Sequence, residues 1–70
     1  MVSKRIEVKD FLAEIHVDET SSPAGYKYMI SRQGDPTILT WGVEGTMEMA
    51  EREATYLVTN YAERARVKSV

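Results

Sequence analysis

Seventy residues, 43% hydrophobic and 29% charged, make a chain apolar enough to fold, yet so short that it buries only about 60% of the surface it exposes when unfolded. With no Cys and a single His, His16, neither disulfides nor a zinc site is expected to supplement that small core, no other cofactor is indicated, and association is the remaining means of support. The net charge of −2 and a pI near 5.3 disfavour a surface held by phosphate contacts, and no stretch approaches the roughly 20 apolar residues that cross a bilayer.

Charge begins at Lys4 and Arg5, before an apolar run of signal-peptide length could start, and the absence of Cys suits a reducing compartment, so a cytoplasmic location is expected. In the first segment Val8, Phe11, Leu12 and Ile15 fit a helical stripe, while Phe11, Ala13, Ile15 and Val17 fit strand alternation; the strand is preferred. Ile6 and Val8 share a parity that Phe11 to Val17 do not. A continuous strand therefore needs a bulge or bend near Lys9-Asp10 to keep its apolar residues on one side. The stretch from Asp18 to Gly25 is polar and rich in turn formers, and reads as an exposed loop.

Tyr26 to Ile30 alternates, Gln33-Gly34-Asp35-Pro36 carries turn residues, and Thr37 to Trp41 is rich in β-formers, which predicts a hairpin. With Arg32 set opposite Thr37, Ile30 faces Leu39, Tyr28 faces Trp41 and Tyr26 faces Val43 on an apolar side; Ser31, Met29 and Lys27 face Ile38, Thr40 and Gly42 on a mixed side. Met47, Ala50, Ala54, Leu57, Val58, Tyr61 and Ala65 then recur at spacings of three and four, predicting a helix from about Met47 to Ala65. Thr46 is its expected N-cap, Glu48 and Glu51 suit its positive end, and Arg64 and Arg66 suit its negative end. The expected fold is α+β: a three-stranded antiparallel sheet in β-β-β-α order, with one C-terminal amphipathic helix over the Tyr28, Ile30, Leu39 and Trp41 side. Residues 1–70 are expected to form a single domain with no linker.

Three arrangements bear on chemistry. His16 falls on the expected solvent side with Leu12, Glu14 and Asp18, and reads as a surface His, since two neighbouring carboxylates make only a weak metal site. Gly42-Val43-Glu44-Gly45-Thr46 lacks the Lys and the length of a phosphate loop, and Glu44, Glu48 and Glu51 would repel an anion there; it reads as a turn leading to a helix cap. Tyr26, Tyr28 and Trp41 at alternate strand positions could stack bases as sheet-based RNA readers do, but the helix stripe needs them as its counterpart, so core is the preferred reading. Basic residues gather towards the ends, Lys4, Arg5 and Lys9 in front and Arg64, Arg66 and Lys68 behind.

These observations lead to the expectation of a small non-enzymatic interaction module, a homodimer or a domain docking on a protein partner. Its contact surface is expected on the open sheet face, at Leu12, His16, Lys27, Met29 and Ile38, or along an edge strand. Strands followed by a helix in this order also resemble, in topology alone, the arm-binding domains of phage integrases and part of double-stranded RNA-binding domains. That likeness keeps nucleic acid as an alternative that the net charge disfavours. A small inhibitor protein of a phage or mobile element is a second alternative, on size and charge; a membrane is not expected as a partner.

Overall fold

A computed structural model describes residues 2–20 and 24–68; of the loop expected from Asp18 to Gly25, positions 21–23 lie outside the described residues, and Asp18 and Gly25 are the last and first residues of strands. The sheet has four strands, β1 (Val2–Val8), β2 (Phe11–Asp18), β3 (Gly25–Arg32) and β4 (Ile38–Glu44), in the order β1-β2-β3-β4 with every neighbour antiparallel. One helix, α1 (Met47–Lys68), follows and packs mainly over β2 and β3.

The expectation of three strands is corrected to four, and the reason is the parity break at Lys9-Asp10. That break is a full reversal in place of a bend: Val8 pairs with Phe11, Ile6 with Ala13 and Lys4 with Ile15. A two-residue turn of this kind returns the chain with its parity shifted, so Ile6 and Val8 share a face with Phe11, Ala13 and Ile15. Lys9 takes the left-handed conformation at φ 54°, which L-residues other than Asn and Asp rarely adopt. The turn is fastened from outside the hairpin, because the backbone N–H of Gln33 donates to the Asp10 carbonyl at 2.7 Å and its Nε2 donates to the Lys9 carbonyl at 2.9 Å.

The β3–β4 register is also corrected. Ser31 pairs with Ile38 as expected, but Ile30 then pairs with Thr40, leaving Leu39 as an extra residue in a bulge. Beyond it every β4 residue is one position out of the expected register: Met29 meets Trp41, Tyr28 meets Gly42 and Lys27 meets Val43. Trp41, expected under the helix, stands on the opposite face. Packing gives the reason, since the Tyr28 ring lies where a Cβ at position 42 would be, and only Gly admits it.

The helix begins where Thr46 was expected to cap it, with the Thr46 hydroxyl accepting from the Met49 N–H at 3.2 Å. It runs three residues beyond Ala65. Its inner face is small, Ala50, Ala54, Val58 and Ala62 all being buried, so its backbone can approach the sheet closely. From the sheet come Phe11, Ala13, Ile15, Tyr28 and Ile30, with Ile6, Val8, Tyr26, Leu57 and Tyr61 partly buried around them. Phe11 and Tyr61 stack with centroids 5.9 Å apart, and Lys4 reaches across from β1 to Glu51.

Candidate functional site

The face of the sheet turned away from α1 carries all five residues singled out from the sequence. Cross-strand pairs project to the same side, so the pairings Leu12 with Ser31, His16 with Lys27, Glu14 with Met29 and Ser31 with Ile38 place Leu12, His16, Lys27, Met29 and Ile38 there together. The pairing of Met29 with Trp41, and of Lys27 with Val43, adds two apolar residues that the expected register had assigned to the core. Arg5 and Glu7, opposite Glu14 and Leu12, complete the face on β1.

Trp41 dominates this surface. It is 60% exposed, the Lys27 ammonium sits 4.8 Å from its ring centroid, and Ile38 and Val43 beside it on β4 are 45% and 41% exposed. An ammonium over a Trp face gains roughly 0.5–1 kcal/mol at an exposed site, which orders the ring without hiding it. Leu12, by contrast, is only 9% exposed although no described element covers this face. Its position on a central strand, flanked by side chains from both neighbours, accounts for that. The resulting surface is an apolar band from Leu12 through Met29 to Trp41, bordered by charges of both signs.

His16 is not the freely solvated side chain expected of it. Its ring is half-buried and Nε2 is shielded from water with no hydrogen-bond partner among the described residues, an arrangement that costs about 1–3 kcal/mol. Arg5 reaches Glu14 at 3.6 Å on the same surface. Among the described residues no three of His, Asp and Glu come close enough together to hold a metal ion.

The remaining motifs resolve into structure. Gly42 lies in β4 under Tyr28, and Gly45 leads into the Thr46 cap. Tyr28 is buried on the helix-covered face with Tyr26 partly buried beside it, while Trp41 is on the other, so the three rings form no common stacking platform. Burial pushes the Tyr28 hydroxyl above its ordinary pKa, and the carboxylates of Glu53 and Glu44 push it further. In the β3–β4 turn Asp35 accepts from the Thr37 N–H at 2.9 Å. That bond and the Thr37 hydroxyl hold the Asp35 carboxyl below the usual carboxylate range against an opposing effect of desolvation, with the charge of Arg32 adding least. The side chains of Arg66 and Lys68, part of the expected C-terminal basic group, lie outside the described residues. Among the described residues no helix is long and apolar enough to cross a membrane.

The likeness to integrase arm-binding and double-stranded RNA-binding domains rested on three strands before the helix, and the fourth strand departs from it. Comparison with protein-family models, with curated proteins and with solved structures returned no match.

Proposed function

We propose that this chain is a non-enzymatic self-association module, in which two copies meet through their open sheet faces around Trp41. The observation that carries the reading is the exposure of Trp41 at the β4 end of an apolar band on a face that no described element covers. A second copy is favoured as occupant by charge: the face carries Arg5 and Lys27 together with Glu7 and Glu14, so it can meet itself without forcing like charges together. Nucleic acid would need a basic surface instead.

Size sets the strength. Four strands about 4.8 Å apart and seven to eight residues long present roughly 470 Å² in projection. That is a modest patch, and a weak, concentration-dependent dimer with Kd on the order of 10 μM or higher is expected.

Trp41 is the only Trp in the chain and so reports on its own burial. On raising the concentration from about 1 μM to about 1 mM, its emission should shift to the blue as the sedimentation-derived mass doubles. Trp41→Lys should hold the mass at that of one chain without unfolding it. A monomer throughout that range would overturn the reading, as would a Trp41→Lys variant that dimerises like the parent. A salt-sensitive complex of the monomer with duplex RNA or DNA would replace it with the nucleic-acid alternative.

A further inference from the structure

A second surface lies at the other side of the molecule, where the β3–β4 turn approaches the last turns of α1. A cleft of about 350 Å³ opens there between Phe11, Leu39 and Tyr61. Its apolar wall is exposed in part, Leu39 being 42% accessible because the β4 bulge turns it to this side.

Two guanidinium groups stand at the cleft, one from each flanking element. Arg32 lies over the Phe11 ring, its Cζ 5.3 Å from the centroid, and Arg64 lies over the Tyr61 ring at 5.9 Å. Phe11 and Tyr61 stack on each other at an interplanar angle of 28°, so the two cation–ring pairs adjoin, and both guanidinium groups line the cleft. A guanidinium drawn to an aromatic ring by cation–π attraction still has its N–H donors available to an anion. Among the described residues neither guanidinium is within ion-pair distance of a carboxylate. Asp35 also lines the cleft, but one oxygen is engaged by the Thr37 N–H, and the lining keeps a net positive charge in a chain of net charge −2.

We propose that this cleft binds a small organic anion, a carboxylate or phosphate carried on a flat apolar body, with Arg32 and Arg64 gripping the anion and Phe11, Leu39 and Tyr61 holding the body. The volume is at the small end for ligand sites, which suits one or two fused rings rather than a nucleotide. A bare anion lacks the part that the apolar wall would desolvate, and a neutral ring lacks the part that two arginines would attract. The site is independent of the Trp41 face, so either proposal can fail alone.

The test is a titration of the ¹⁵N-labelled chain with 1-naphthoate, 1-naphthalenemethanol and inorganic phosphate, followed by amide shifts. Naphthoate should saturate with shifts centred on Arg32, Thr37, Leu39 and Tyr61, while the alcohol and phosphate should each bind at least about ten-fold more weakly. Arg32→Gln and Arg64→Gln should each weaken naphthoate about ten-fold, Arg64→Lys by less, and Leu39→Asp should abolish binding. Both arginines are exposed and outside the core, and the amide spectrum itself verifies that each variant folds. Trp41→Ala should leave the affinity unchanged. Equal binding of naphthoate and the alcohol, equal binding of naphthoate and phosphate, shifts confined to the Trp41 face, or Gln variants of parental affinity would each overturn the proposal.

Discussion

The two faces of one sheet are built to opposite ends. Under α1, Ile15, Ile30 and Val58 are wholly excluded from water, and small residues, Ala13, Ala50, Ala54 and Ala62, let helix and strands approach closely. On the other side the same strands leave Trp41, Ile38 and Val43 partly in water and intersperse them with Arg5, Glu7, Glu14 and Lys27. The covered face yields stability through close contact, and the open face leaves apolar side chains exposed. In a chain this short the difference is telling, because exposed apolar surface is stabilisation that the monomer does not collect.

The sharpest way to test that contrast is to truncate one residue on each face. Ile30→Ala should lose about 2 to 5 kcal/mol in urea unfolding, enough to unfold much of a domain this small, whereas Ile38→Ala should lose under about 1 kcal/mol in the dilute monomer. Comparable losses would erase the distinction. Gly42→Ala comes next: the added methyl collides with the Tyr28 hydroxyl and ring, and about 1 to 3 kcal/mol should be lost. In a double-mutant cycle with Tyr28→Leu the combined loss should be less than the sum, since the ring that the added methyl strikes is then gone.

Smaller effects follow from two polar groups, one on each face. Tyr28 titrates above its ordinary value in the folded chain through burial, Glu53 and Glu44. A raised folded pKa contributes stability that is complete below the unfolded value of about 10 and is lost as pH climbs through the higher folded value. Alkaline unfolding should therefore begin near pH 10, and Tyr28→Phe should flatten that limb in a pH series of urea melts. A Tyr28→Phe curve parallel to the parent's would show that the hydroxyl is not responsible. On the open face, His16→Leu should stabilise the chain by about 1 kcal/mol, because it removes a shielded nitrogen that has no partner among the described residues. Destabilisation would mean that Nε2 is satisfied in solution.

The two hairpins explain how much of this could be read from the residues. The helix was legible because its stripe is long and its cap is local: seven apolar positions at helical spacing, and Thr46 beside Gly45, point one way. In the first hairpin the parity change at Lys9-Asp10 was visible, but it signals a bulge and a two-residue reversal alike. Lys9, a poor residue for positive φ, concealed the reversal. In the second hairpin the turn residues and the Ser31–Ile38 pair were readable, yet the bulge at Leu39 was not, since nothing local distinguishes an extra residue from a paired one. Leu12, His16, Lys27 and Met29 take their face from β2 and β3, and Ile38 precedes the bulge, so their side followed from alternation alone. Trp41 and Val43 follow the bulge and were misplaced. One signal for them existed: a helix face of alanines leaves little depth for both Tyr28 and Trp41 beneath it. The arginine-flanked cleft had none, since Phe11, Arg32 and Arg64 meet only through tertiary structure.

Gln33 gives this small sheet a rule of assembly. Both of its bonds reach carbonyls of Lys9 and Asp10, one of them spanning 24 positions of sequence, so the turn that creates β1 and β2 is completed by the turn that creates β3 and β4. An isolated two-stranded hairpin is marginal in water, and this one contains a strained Lys as well. The stability of the first hairpin therefore depends on the second, and the two are expected to open as one cooperative unit.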